Sequence, residues 1–291
     1  MRLCTSTTPG AQAKFASSFS SAKGEWAIVN TASAHAKSTR LASQLKRAET
    51  ARVHPLVELA MRILITGANR GLGLEFVRQY LSRGERVIAT TRHTNRAQAL
   101  NHLAGEYPGH LTVLPLDAAN PASIAELLRE LQAMDVSLDL MIANAGVLIS
   151  GERFGELSSE DMEQSFRVNA VGPVLLTQAL LPLLANGKAP RAIYLSSILG
   201  SITQRDSFYS PSYCISKAAL NMGVRLLSSV LAEKGVSAVC VHPGWVQTDM
   251  GGAKATLTAV VAVSDLVRLI DGFGAAHNGR FFMHDGSELP W

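Results

Sequence analysis

Cysteine is scarce in this 291-residue chain, which holds only Cys4, Cys214 and Cys240. No pair among them has the spacing of a disulfide framework or a zinc knuckle, so neither a stapled secreted fold nor a structural zinc site is expected. A reducing compartment suits such a chain. The eight histidines are scattered without paired spacing, and acids such as Glu160, Asp161 and Glu163 read as a solvated helix start, which leaves no candidate metal site. Long apolar runs are missing as well: no stretch approaches the roughly 18 consecutive apolar residues of a membrane span. The first twenty residues lack the apolar block of a secretory signal. The expectation is a cytoplasmic protein with no membrane partner.

What is present is a globular composition, with 47% hydrophobic residues, enough for a sizeable core in one large domain or two small ones. The formal net charge of +4 is unevenly placed. Residues 1–60 carry eight Lys/Arg against three acids, a local +5, so the remaining chain sums to −1. A nearly neutral body does not supply a phosphate-binding face, and no nucleic-acid partner is expected. The first sixty residues are rich in Ser, Thr and Ala and have no sustained apolar period, so they read as a poorly ordered N-terminal extension. Two origins stay open for this extension: upstream sequence preceding a natural start at Met61, or a targeting peptide.

From Met61 onward, short apolar runs alternate with helical stretches and no internal repeat is found. Candidate strands cover 62–66, 86–91, 111–116, 138–143, 191–196, 236–241 and 279–283. Runs such as 136–143 and 236–242 are nearly continuous in apolar residues, the pattern of strands covered on both faces. Right-handed crossovers wind such units into a doubly wound parallel α/β sheet. The expected architecture is a single Rossmann domain, residues 61–291, of about seven strands with helices on both faces.

Directly after the first strand stands Thr66-Gly67-Ala68-Asn69-Arg70-Gly71-Leu72-Gly73, followed by an apolar-periodic helix over 74–81. Glycines at that junction let the chain turn sharply, bring backbone close to a pyrophosphate and pack a helix on the sheet, with the helix N-terminus facing the anion. The spacing differs from the usual dinucleotide fingerprint. It resembles the Thr-Gly-x-x-x-Gly-x-Gly of the short-chain dehydrogenases/reductases.

The second strand ends Thr90-Thr91-Arg92, with no acid where one would bind the adenosine ribose hydroxyls of NAD. Arg92, joined by Arg70 of the glycine loop, suits a 2′-phosphate instead. NADP(H) is therefore expected over NAD(H). The resemblance implies that Asp117, which also reads as a helix N-cap before 122–131, reaches the adenine amino group. It implies too that Asn144-Ala145-Gly146 steadies the sheet and touches cofactor, although Ala143 departs from the family's preceding residue.

Tyr213 and Lys217 form a Tyr-x-x-x-Lys. Positions four apart on a helix share a face. A free phenol titrates near 10, too high for a proton shuttle at neutral pH, and a neighbouring ammonium favours the phenolate. Tyr213 is thus the expected acid/base, with Lys217 activating it and holding the nicotinamide ribose. The resemblance implies that Ser197 bonds the substrate oxygen, with adjacent Ser196 the less favoured choice, and that Asn169 organises a proton relay through Lys217. It also places Pro243, Gly244, Val246 and Thr248 beside the nicotinamide carboxamide. His242 reads as a structural residue at a buried strand end, and His93 as a surface residue.

Residues 245–252 and 279–291 resemble the C-factor-like branch of the family. The segment after Thr248 is short and small-residued, with Gly251, Gly252, Ala253 and Ala255, which suggests an open site. The expected activity is NADPH-dependent reduction of a small aldehyde or ketone to an alcohol. The alternative is a C-factor-like signalling or NADP-sensing protein on the same fold. Family members commonly form homodimers or homotetramers through their long helices, here 157–185 and 210–234.

Overall fold

The computed structural model describes residues 60–291. The expectation for 1–60 falls, apart from Ala60, outside the described residues. Among the described residues nine strands follow one another. They are β1 (Arg62–Ile65), β2 (Arg86–Thr91), β3 (Leu111–Pro115), β4 (Leu140–Ala143), β5 (Arg191–Leu195), β6 (Ser237–His242), β7 (Val246–Gln247), β8 (Leu257–Thr258) and β9 (Arg280–Met283). Seven of them form one parallel sheet in the order β3-β2-β1-β4-β5-β6-β9. The remaining two, β7 and β8, make a separate parallel pair in the segment after β6. That pair has no counterpart in the sequence pattern, because two-residue strands carry no periodicity.

Side-chain alternation along each strand sorts the core into two layers. Ile63 and Ile65 of β1 face one way, with Val87, Ala89, Ile142 and Val241, against Phe76, Val77 and Tyr80 of α1 (Gly71–Ser82) and Val263, Leu266 and Ile270 of α7 (Ala259–Asp271). Leu100 and Leu103 of α2 (Gln98–Glu106) complete that layer. Leu64 faces the other way with Ile88, Met141, Tyr194 and Cys240. It meets Leu127 and Leu131 of α3 (Pro121–Ala133), Leu176 and Leu180 of α5 (Gly172–Leu184), and Leu220 and Val224 of α6 (Pro211–Ala232). Each fully buried aliphatic or aromatic side chain contributes about 1.5–3 kcal/mol. A sheet covered on both faces explains the unbroken apolar runs of its central strands.

Two local expectations are corrected. Asp117 does not cap α3: Asn120 does, its side chain accepting from Ala122 N at 3.0 Å. Pro121 then occupies the first helical turn, where its missing N–H costs nothing. The carboxylate of Asp117 instead accepts from Ala119 N at 3.0 Å, and its own N–H donates to Ser123 Oγ at 3.0 Å. The long helix anticipated over 157–185 is also interrupted. It comprises α4 (Ser159–Phe166), a π-helical turn over Arg167–Val171, and α5. Such widened turns are uncommon and cluster at functional sites.

Candidate active site

All loops that matter leave the carboxyl ends of the parallel strands, where doubly wound sheets bind ligands. The glycine loop runs from β1 into α1. Gly67 and Gly71 have φ of +63° and +55°, open to glycine at little cost. At Gly73 a Cβ would lie 2.4 Å from Gly67 O and 2.6 Å from Asn144 Nδ2, so no side chain fits. Arg70 occupies the N-cap of α1 and supplies no side-chain cap; the first α1 hydrogen bond runs from Leu74 N to Arg70 O. The helix therefore presents uncapped N–H groups and the positive end of its dipole to the cleft, a fit to a dinucleotide's pyrophosphate. Asn69 and Arg70 are exposed and Leu72 is half-buried.

Thr66 and Asn144 lock this loop to β4. The Thr66 hydroxyl accepts from Asn144 N and Ala145 N, both at 3.0 Å. The Asn144 amide donates to Thr66 O at 2.8 Å and Gly67 O at 3.1 Å. A loop whose carbonyls are held by a neighbouring strand is preorganised. Sequence reasoning passes over Thr66, though a hydroxyl directly before the first glycine was the available signal. At the far side of the loop Arg70 pairs with Asp249 at 2.6 Å, both ends exposed. Arg92, just past β2, is exposed and makes no ion pair among the described residues.

Tyr213 and Lys217 lie one turn apart in α6 and both are buried. Lys217 Nζ donates to Leu195 O, the last residue of β5, at 2.7 Å, and stands 5.6 Å from the centre of the Tyr213 ring. Gly200 permits this packing: a Cβ there would sit 2.7 Å from Lys217 C. The two adjacent serines point apart. Ser196 donates to Asn221 Oδ1 at 2.5 Å, away from the cleft, whereas the Ser197 hydroxyl accepts from Leu199 N at 3.1 Å and lies near enough to the Tyr213 phenol to favour its ionised form. Asn169 sits in the π-helical turn, fully buried. It accepts from Val147 N and donates to Val147 O, both at 2.8 Å, and donates to Ser216 Oγ at 2.9 Å. Ser216 in turn donates to Tyr213 O at 2.8 Å. Gly146 separates Asn169 from Lys217, since a Cβ there would lie 3.2 Å from Asn169 Oδ1 and 3.7 Å from Lys217 Nζ.

Electrostatically the pair differs from the simple picture of an ammonium acidifying a phenol. Burial pushes the Tyr213 phenol up to about 12, with the nearby Ser197 hydroxyl pulling the other way. Desolvation lowers Lys217 to about 8. Desolvation is the largest cause of both shifts, and neither group is among the causes of the other's. His242 is pushed down to about 4, first by burial and then by neighbouring His284, and its Nδ1 has no hydrogen-bond partner among the described residues. It stays neutral at pH 7. His93 is exposed.

Pro243 and Gly244 turn the chain out of β6, Gly244 at φ +82°. Val246 is buried in β7. Thr248 approaches the glycine loop, its Cγ2 3.4 Å from where a Gly71 Cβ would be. The following segment is folded on itself: Gly251 N donates to Thr248 Oγ1 at 3.1 Å, and Trp245 Nε1 donates to Gly251 O at 2.8 Å.

The family model for short chain dehydrogenases matches residues 61–257. The chain belongs to this short-chain dehydrogenase family. It is 44% identical to the C-signal protein of Myxococcus xanthus over 154 residues, covering 53% of this chain and 93% of that protein. Among solved structures, the carbonyl reductase Sniffer of D. melanogaster superposes with a TM-score of 0.76 at 32% identity, covering 80% of this chain and all 100% of that one. The NADPH-bound carbonyl reductase from chicken fatty liver gives a TM-score of 0.73 at 34% identity, with 80% and 99% covered. As a short-chain dehydrogenase the protein is an NAD(P)-dependent oxidoreductase with a Rossmann fold.

Proposed function

We propose that this short-chain dehydrogenase is a cytoplasmic enzyme that reduces a small aldehyde or ketone with NADPH. The observation that carries the reading is the buried cluster of Tyr213, Lys217 and Ser197 at the carboxyl end of β5. It opens beside an uncapped helix N-terminus shaped by glycine. The bound nicotinamide would supply the hydride.

The chain's own residues supply placement and the proton. Ser197 donates a hydrogen bond to the substrate carbonyl oxygen and fixes it near the phenol. Tyr213, its proton held firmly by burial, stays neutral at pH 7 and is loaded as the general acid. As the carbonyl oxygen gains negative charge, Tyr213 Oη gives it that proton. Lys217, still largely protonated at neutral pH, stabilises the phenolate left behind and anchors the nicotinamide ribose. Asn169 ties the segment after β4 to α6 through Val147 and Ser216 and so keeps the relay groups in register.

Gly67, Asn69, Arg70, Gly71, Leu72 and Gly73 would line the pyrophosphate. Asp117 would reach the adenine, Asn144, Ala145 and Gly146 the ribose side, and Pro243, Gly244, Val246 and Thr248 the carboxamide. The preference for NADP(H) rests on Arg92, left without an acidic partner among the described residues, and on Arg70, whose bond to Asp249 is exposed and therefore weak enough to exchange for a phosphate. A homodimer suits α6, where Met222, Leu226 and Val230, spaced four apart, are all more than half exposed.

NADPH absorbance against a panel of carbonyls tests the activity. Tyr213→Phe is expected to lose at least ~1,000-fold in turnover, on the scale of removing a proton donor together with its polarising hydrogen bond, with NADPH affinity within about twofold. Retained turnover refutes the role of Tyr213. The likeness to C-signal favours a second reading, a signalling or NADP-sensing protein; a chain that binds NADPH yet reduces nothing would support it.

A further inference from the structure

Helix α6, which carries Tyr213 and Lys217, begins without its own end-stop. Ser210 at the N-cap is left-handed, φ 42° and ψ 57°, and its side chain caps nothing. Pro211 has no N–H to offer. The next donor along the helix is Ser212 N, and its partner comes from sixty residues away in sequence. Glu152, in the segment between β4 and α4, accepts from Ser212 N at 3.3 Å through Oε2 and from the Ser212 hydroxyl through Oε1. Ser212 is buried, and Tyr213 is the following residue. The same two loops meet again where Phe154 packs edge-on against Phe208, ring centres 5.6 Å apart.

We propose that Glu152 is a positioning residue for Tyr213, acting as a cap for α6 supplied from another loop. A carboxylate at a helix N-terminus is favoured both by the hydrogen bonds it accepts and by the dipole it faces. Here it ties the first turn of α6 to the segment that begins at Asn144. The phenol therefore keeps its place against Ser197 only while the two loops are joined. Without the carboxylate, the left-handed Ser210 has less to hold it, and the first turn of α6 is free to fray. This inference rests on the proposed acid role of Tyr213.

The test is a double-mutant cycle of Glu152→Ala and Ser212→Ala, with Glu152→Gln as the conservative variant that keeps one acceptor oxygen. Glu152→Ala is expected to lose about tenfold in kcat, the scale of a misplaced reacting group, with KM and NADPH affinity within about twofold. Glu152→Gln should recover most of the loss, and the double variant should be no slower than the slower single one. Amide hydrogen exchange of residues 212–216 should quicken in Glu152→Ala while that of α1 is unchanged. Wild-type turnover in Glu152→Ala, no rescue by glutamine, or losses that simply add would overturn the proposal. Should the unaltered protein reduce no carbonyl, the activity reading fails by itself. The exchange data then judge the cap alone, and unchanged exchange at 212–216 would overturn it.

Discussion

Lys217 is a buried ammonium that the fold tolerates at a measurable cost. Desolvation lowers its pKa from 10.5 to about 8 in the folded protein. In the unfolded chain it keeps its proton to about 10.5, so between these values the unfolded state binds more protons than the folded one. Stability contributed by this residue therefore rises with pH across that window. Below pH 8 both states hold the proton and the full penalty applies; above 10.5 neither does and it vanishes. A tenfold difference in proton affinity between the two states corresponds to about 1.4 kcal/mol, so the relief between about pH 7 and pH 10 amounts to about 2–3 kcal/mol. Lys217→Met removes the titrating group and should be flat with respect to this effect. The lost hydrogen bond to Leu195 O offsets the variant by an amount that does not vary with pH once the wild-type lysine is neutral. Urea unfolding of both proteins at several values from about pH 7 to pH 10 measures the difference directly. The wild type is expected to gain about 2–3 kcal/mol on Lys217→Met over that range, while the variant is inactive throughout. Parallel curves would refute the desolvation of this lysine.

Three further outcomes are expected. Gly73→Ala puts a methyl group 2.4 Å from Gly67 O, so it should destabilise by about 1–3 kcal/mol in thermal unfolding and weaken NADPH binding by nucleotide fluorescence. Arg92→Asp should shift the ratio of NADPH to NADH kcat/KM by at least ~10-fold towards NADH, the loss of one charge-assisted phosphate contact; an unchanged ratio sinks the assignment. Leu226→Glu, on the exposed apolar face of α6, should convert the proposed dimer to a monomer in light scattering without changing the circular dichroism spectrum.

The strand and helix alternation, and with it the seven-stranded parallel sheet, was written into the sequence because each element is a short apolar run with a single period. The glycine spacing after β1 and the Tyr-x-x-x-Lys were legible for the same reason: backbone approach and shared helix faces are local geometry. Non-local partners were not legible. Asn120 outcompeted Asp117 as the cap of α3 because it stands directly before Pro121, and only the packed helix start reveals which side chain reaches Ala122 N. Asn169, in the π-helical turn, hydrogen-bonds Val147 and Ser216, which lie in other parts of the chain. That Ser196 is engaged by Asn221 while Ser197 lies near Tyr213 is likewise a matter of where those two residues sit in the folded chain.

Sequence alone determined the order of the elements and the kinds of chemical group available to the cleft. Tertiary structure decided their ionisation, since burial of the phenol and the ammonium raises one and lowers the other against the trend expected from their proximity. It also decided their alignment, through contacts such as Glu152 with Ser212 that join residues sixty positions apart. Hydrogen bonds and desolvation depend on distances in space, and spacing along a chain encodes those distances only within a single helix or strand.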